Sequence, residues 1–297
     1  MSAAEALERF EDCRPALFGL AYRMLGSVMD ADDILQEAFL RWQGAPAERA
    51  SSAKAYLVTI VTRLCIDALR SARARRETYI GPWLPEPWLG AEEDPAQAAD
   101  AGESISFALL VLLERLTPLE RAVFVLHDIF AYSYAEIGAI IGVQAAYCRQ
   151  LGHRARGHAR LERPRFEADP ERVAATTRQF LRASQQGDLR GLLDVFMADI
   201  VLWSDGGGKA SAALNPIHGA DRVSRFMVGV LRKATAPIRL QAAVINGRPG
   251  VIGFNGGVCD RAFILELAPQ GGIQTLYCVR NPDKLRRAQA AAGAGQG

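Results

Sequence analysis

The chain has 297 residues, 49% hydrophobic and 23% charged, a balance that fits folded globular protein and excludes disorder along its whole length. At this length two or three domains are expected, each burying its own core. Lysine plus arginine number 35 and aspartate plus glutamate 33, so the net charge of +2 excludes a uniformly basic nucleic-acid coat and leaves only local contacts with DNA.

The five cysteines, Cys13, Cys65, Cys148, Cys259 and Cys278, are odd in number, widely spaced and without a CxxC pair, which argues against a disulfide framework or a zinc site. The acidic start, with Glu5, Glu8, Glu11 and Asp12, lacks the basic-then-apolar profile of a signal peptide. The longest clean apolar run, Phe107 to Leu113, is too short to span a bilayer. The expectation is a soluble, cytoplasmic protein with no metal, no cofactor and no membrane contact.

Charge changes sign along the chain. Residues 1 to 53 hold five bases and nine acids, and residues 54 to 80 hold six bases and two acids. Residues 86 to 103 carry six acids and no base, and residues 146 to 165 carry six arginines against Glu162 alone. Residues 1–79 read as helices. Within them Leu57, Ile60, Val61, Leu64 and Ala68 fall at helical spacing, leaving Thr59, Thr62, Arg63, Asp67 and Arg70 toward another face. Residues 80–103 contain Pro82, Pro85, Pro87 and Pro95, which excludes a continuous helix and suggests an acidic, extended linker.

Residues 104–163 are helical again and contain helix-turn-helix spacing between Tyr134 and Arg160. Gly138 and Gly142 are small where two helices must approach, Val143 and Gln144 fall in the turn, and Cys148 with Leu151 can seal the second helix on the core. Gln144, Tyr147, Arg149, Gln150, His153 and Arg154 are then expected to face outward. Arginine grips guanine edges bidentately, glutamine does so for adenine, and Arg156 and Arg160 suit phosphates. A helical hairpin with a solvated basic face is the plainer reading.

The basic run Arg63, Arg70, Arg73, Arg75 and Arg76 continues one helix to its C-terminal end, where cations also favour the helix dipole. With Thr59, Thr62, Tyr56 and Trp83 nearby, the mixture suits a strand backbone and unstacked bases. Asp30, Asp32, Asp33 and Glu37 would repel DNA, and suit either a solvated helix start or a docking face for a basic partner.

Residues 170–286 begin with a helical pattern around Val173 to Arg182. Strand-like runs follow at Asp199 to Ser204, Ile238 to Ile245, Val251 to Phe254, Ala262 to Leu267 and Ile273 to Val279. Glycine-rich turns between most of them suggest a helix-backed antiparallel sheet. The Ala/Gly tail, residues 287–297, reads as frayed. The overall class is therefore multidomain, two all-α modules followed by an α+β domain.

RPALFGLAYRMLGSVMDADDILQEAFLRW from Arg14 and AYLVTIVTRLCIDALRSARARRE from Ala55 resemble region 2 of bacterial sigma factors of the extracytoplasmic-function (ECF) type. LTPLERAVFVLHDIFAYSYAEIGAIIGVQAAYCRQLGHRAR from Leu116 resembles their region 4, which carries the helix-turn-helix. IGPWLPEP at 80–87, DGGGK at 205–209 and NPDKL at 281–285 resemble the subgroup with a fused C-terminal SnoaL-like cone. The resemblance implies a subunit that binds core RNA polymerase through the β′ clamp helices and β flap, recognises promoter DNA and directs initiation. By that analogy Asp32, Asp33, Gln36 and Glu37 contact the polymerase. Thr59, Thr62, Arg63, Arg70, Arg73 and Arg76 hold the minus-ten box, and Gln144, Tyr147, Arg149, Gln150, His153 and Arg154 read the minus-thirty-five box. The acidic stretch from Glu86 to Glu103 threads toward the RNA path.

For the C-terminal domain the expectation is regulation in cis. It folds back on the helical modules, with Trp83 and Pro85 near Asp205, Gly206, Gly207, Gly208, Lys209, Asn281, Pro282 and Asp283. Aspartate followed by glycines is also ordinary hairpin-turn chemistry, and successive glycine amides could form an anion nest. Asp205, His218, Asp260 and Tyr277 are the available acid–base candidates, but they form no compact motif, and no catalytic residue is expected. The runner-up is a free-standing helix-turn-helix regulator whose C-terminal domain senses a small ligand.

Overall fold

The computed structural model describes residues 3–44, 53–76, 78–89, 106–160, 169–232 and 238–289. They fall in two compact units. One comprises Met1–Glu77 with Glu93–Arg163, and the other Thr78–Glu92 with Pro164–Gly297.

The first unit is helical. Helices α1 (Ala3–Leu25), α2 (Val28–Gln43) and α3 (Ala53–Arg76) pack together over Leu17, Leu20, Tyr22, Leu35, Trp42, Leu57 and Val61, all at most 2% exposed. Burial of each large apolar side chain stabilises such a bundle by about 1.5–3 kcal/mol. Gly26, at φ 66, ends α1, and Ser27 caps α2 by accepting from the Asp30 amide at 3.2 Å. Trp42 donates its indole N–H to the Ala6 carbonyl at 2.9 Å, tying the end of α2 to the start of α1.

The buried face of α3 corrects the expected one. Leu57, Val58, Val61, Thr62, Cys65, Ile66 and Leu69 are buried, and Ile60, Leu64 and Ala68 only half so. At 100° per residue that stripe is rotated by about a quarter turn from the expected one. Val58, Cys65, Ile66 and Leu69 supply more apolar volume than the stripe drawn through Ile60 and Leu64.

Helices α4 (Phe107–Leu113) and α5 (Pro118–Phe124) follow. Thr117 and Glu120 form a reciprocal capping box at the start of α5, and a π-helical turn, Val125–Ile129, extends it. The buried Arg121 of α5 donates to the Met24 carbonyl at 2.7 Å and to Glu114 at 2.6 Å, and burial lowers its pKa to about 9. Ser133 and Glu136 make a second capping box for α6 (Tyr134–Ile141). Gly142, at φ 74, ends α6, and α7 (Ala145–Arg160) begins after the turn. Gly138 allows the close approach, since a Cβ there would lie 2.6 Å from the Val143 carbonyl oxygen. Gly142, in contrast, has open space around its Cα and is required for its left-handed backbone. Cys148 and Leu151 are buried as expected.

The second unit starts with α8 (Pro170–Gln186) and α9 (Leu189–Val195), capped by Asp169 and Asp188. Strands β1 (Phe196–Asp205), β2 (Ile217–His218), β3 (Ile238–Ile245), β4 (Arg248–Asn255), β5 (Val258–Leu267) and β6 (Ile273–Val279) form one sheet in the order β2-β1-β6-β5-β4-β3. The expected all-antiparallel sheet needs one correction, because β1 and β6 pair in parallel. The crossover that a parallel pair requires is supplied by everything between them, including α10 (Ala220–Arg232). Helices α8, α9 and α10 pack on the sheet around Phe180, Ile200, Leu202, Val223, Met227 and Phe263, and Phe180 meets Phe263 edge-on at 5.6 Å. The strand-like runs at 238–245 and 273–279 match β3 and β6. Helix α10 was not anticipated, although Val223, Phe226, Met227 and Val230 carry the i, i+3, i+4, i+7 spacing of an amphipathic helix.

Candidate nucleic-acid interface and linker clamp

The second unit holds a buried charged cluster around Asp205, the last residue of β1, whose side chain is fully enclosed. Its carboxylate accepts from the Tyr79 hydroxyl at 2.6 Å, the Leu84 amide at 2.9 Å, the Gly207 amide at 2.9 Å and the Lys284 ammonium at 2.7 Å. Lys284 also donates to the Leu84 carbonyl and lies 4.0 Å from the centre of the Trp83 ring. Asn281 donates to the Tyr79 hydroxyl at 2.9 Å. Burial, then the hydrogen bond to Asp205, pushes the Tyr79 phenol well above its ordinary range. A buried ion pair of this kind is stable only when its remaining lone pairs and protons are satisfied, and here they are.

Leu84, Pro85, Glu86, Pro87 and Trp88 are consequently buried in this unit. At the far end of the segment the Asn246 amide donates to the Trp88 carbonyl at 2.9 Å, and the Trp88 amide donates to the Asn246 side chain at 3.3 Å. Glu86, the first residue of the acidic stretch expected to thread toward the RNA path, is itself 2% exposed in this unit. The rest of it, through Glu103, lies outside the described residues.

The glycines after Asp205 are required sterically. A Cβ on Gly206 would meet the Ala210 carbonyl oxygen at 2.1 Å, and one on Gly207, at φ 58, would meet the Asn281 side chain at 2.3 Å. DGGGK is thus both a turn and part of the clamp. Lys209 pairs with Asp283, whose carboxyl that hydrogen bond holds below the usual range. The structure brings Trp83, Pro85, Asp205, Gly206, Gly207, Gly208, Lys209, Asn281, Pro282 and Asp283 into one neighbourhood. Sequence reasoning missed Tyr79 and Asn246 and gave no individual role to Leu84, inside IGPWLPEP, or to Lys284. The last stood inside NPDKL, where a lysine between two motif residues was the available signal.

In the first unit, Asp33 and Gln36 are exposed on α2. Asp32 lies 3.8 Å from Arg14, and Glu37 pairs with Arg41 at 2.8 Å one turn on. Leu40, 62% exposed, stands beside them. On α3 the hydroxyl of half-buried Thr59 donates to the Ala55 carbonyl at 2.8 Å. Thr62, expected outward, is fully buried because the buried stripe is rotated toward it, and its hydroxyl has no hydrogen-bond partner among the described residues. Arg63 reaches the open C-terminus of α6, donating to the Ile140 carbonyl at 2.7 Å. Arg70 is exposed and pairs with Asp67 at 3.4 Å. The side chains of Arg73 and Arg76 lie outside the described residues.

Gln144, just before α7, and Tyr147, Arg149, Gln150, His153 and Arg154 on it are all exposed, as the sequence reading expects. Arg154 also lies 3.2 Å from Glu120. Arg156, read as a phosphate contact, is held instead by Asp128 at 3.1 Å and the Tyr134 hydroxyl at 2.8 Å. The helix and the residue that precedes it thus offer six polar or aromatic side chains on one solvent-facing side, the chemistry that base edges in a major groove accept.

The acid–base candidates of the second unit do not converge. Asp205 is bound as described, Asp260 is paired to Arg261 and Arg280, His218 is exposed on β2, and Tyr277 is buried on β6. Among the described residues no helix is long and apolar enough to cross a membrane.

Known proteins resemble the chain along almost its whole length. The family model for sigma-70 region 2 matches residues 9–75, and that for sigma-70 region 4 matches residues 106–158. The ECF RNA polymerase sigma factor SigJ of Mycobacterium tuberculosis is 36% identical over 94% of this chain and 92% of its own. The probable ECF sigma factor SigI of the same species is 35% identical over 95% of each. The crystal structure of Mycobacterium tuberculosis SigJ superposes with a TM-score of 0.74 at 34% identity, covering 94% of this chain and 98% of that one.

Proposed function

Because this chain belongs to the ECF RNA polymerase sigma factors, we propose a division of labour within it: α2 docks on polymerase, α3 and α7 hold promoter DNA, and the second unit regulates access in cis. The family is one of non-catalytic initiation factors that work with core RNA polymerase and promoter DNA, and the match to region 2 disfavours a free-standing helix-turn-helix regulator. A subunit that works with core polymerase is expected to act in the cytoplasm.

Asp32, Asp33, Gln36 and Glu37 form the face that meets the β′ clamp helices, with Leu40 as an apolar neighbour. Gln144, Tyr147, Arg149, Gln150, His153 and Arg154 read the minus-thirty-five box while region 4 sits against the β flap. Thr59, Arg63, Arg70, Arg73 and Arg76 hold the minus-ten strand. For Arg63 this requires release from the Ile140 carbonyl, and Thr62 contributes only after α3 is uncovered. Tethering two weak DNA readers to one polymerase supplies through effective concentration the affinity that each lacks.

The observation that carries regulation in cis is the enclosure of Asp205 by Tyr79, Leu84 and Lys284, which locks the segment between regions 2 and 4 into the C-terminal unit. In reconstituted transcription with core polymerase, Asp205→Ala and deletion of residues 170–297 are expected to change promoter output by severalfold. Unchanged output from both removes the regulatory role.

A further inference from the structure

On the side of α7 that faces the protein, a group of residues outside the proposed DNA contacts converges on Tyr134, the first residue of α6. Gly152 of α7 is buried there, and a Cβ on it would lie 2.9 Å from the Tyr134 hydroxyl oxygen, 3.2 Å from a Tyr134 ring carbon and 3.4 Å from Val123 of α5. Glycine inside a helix costs propensity, and the close approach of Tyr134 is what requires it. One turn on, Arg156 donates through one nitrogen to the Tyr134 hydroxyl at 2.8 Å and through another to both Asp128 oxygens at 3.2 and 3.1 Å. The Tyr134 ring also stacks on His127, with 4.1 Å between centroids. The Tyr132 carbonyl lies 2.8 Å from His127 Nδ1 and can only accept, so that nitrogen carries the proton and the imidazole plane is fixed. His127 and Asp128 both belong to the π-helical turn.

Resting on the assignment of α7 as the minus-thirty-five reader, we propose that Tyr134 is a positioning residue for promoter recognition. Its ring sets how closely α7 approaches at Gly152, and its hydroxyl, together with Asp128, holds Arg156. The stretch that carries Arg149, Gln150, His153 and Arg154 is thereby kept in one pose. A helix moves as a rod, so a displacement at Gly152 reaches all four readers. Hydrogen bonds to base edges weaken steeply with misalignment, whereas long arginine side chains still reach phosphates, which carry no sequence information. A shifted α7 therefore loses specificity before it loses affinity. Arg156, occupied by three hydrogen bonds within the protein, serves the pose of the helix in place of a phosphate contact.

Competition binding by the full chain with core polymerase tests this, using a duplex whose minus-thirty-five box was selected in vitro with that holoenzyme and the same duplex with the box scrambled. Gly152→Ala gains helix propensity while pressing on Tyr134. It is expected to cut the preference for the selected box about tenfold, the worth of one bidentate base contact, with the salt slope of scrambled-duplex binding unchanged. Adding Tyr134→Phe, which removes the oxygen nearest the new methyl, is expected to restore most of that preference. Equal loss on both duplexes in Gly152→Ala marks a merely weakened fold and overturns the proposal, as does a double variant that restores nothing. Gln150→Ala separates the two claims. If it lowers the preference and Gly152→Ala does not, the positioning role fails while α7 remains the reader; if neither lowers it, both fail. Asp128→Ala frees Arg156 by removing a partly exposed pair and is also expected to lower the preference. Should Gly152→Ala fail to fold, unchanged preference in Asp128→Ala overturns the proposal alone.

Discussion

The second unit turns one charged pair inward, closing Asp205 and Lys284 over the linker, whereas α2 and α7 of the first unit keep the charged groups named above at or near the surface. The same residue types therefore do different work. Enclosed and fully hydrogen-bonded, a carboxylate determines which backbone segments stay together. Exposed on a helix it adds little to stability and remains available to a partner.

Removing Asp205 tests the inward half most severely. Asp205→Ala leaves Lys284 buried and uncompensated, and denaturant unfolding is expected to register a loss of about 3–5 kcal/mol. Gly207→Ala follows at about 1–3 kcal/mol, since its φ of 58 suits glycine and the added methyl collides with Asn281. The outward half predicts the opposite pattern. Gln150→Ala is expected to reduce discrimination between promoter bases by about 1–3 kcal/mol in competition binding with polymerase, at unchanged unfolding free energy. Asp33→Lys is expected to move stability by no more than about 0.5 kcal/mol while weakening polymerase binding in a pull-down titration. A destabilised Asp33→Lys would break the comparison.

Acid sharpens it. A carboxyl whose folded pKa lies below its unfolded value stabilises the fold above the unfolded pKa, and that contribution is lost as pH falls through the folded one. Asp283 is of this kind because Lys209 donates to it. Its titration, followed by carboxyl NMR, is expected to have a midpoint below that of an ordinary aspartate and to move up in Lys209→Ala.

What could be read from the residues alone was whatever has a local cause. The strand-like runs over 238–245 and 273–279 are local, as are Gln144 and the five outward positions of α7 that follow it. The face of α3 was misjudged because its stripe is two residues wide and partner helices choose which side is covered. The parallel pairing of β1 with β6 joins distant strands, which no window of sequence contains. The clamp was half legible. Its three motifs stood out, but Lys284 reads as a surface lysine until Asp205, 79 residues earlier, is placed opposite it.

The clamp also joins segments made at very different times. Tyr79 precedes its partner Asn281 by 202 residues. At about 5–20 residues per second, the nascent linker waits about 10–40 s before the groups that bolt it down exist. Each newly translated molecule thus passes through an unlatched youth, and the rate of protein synthesis sets how long it lasts.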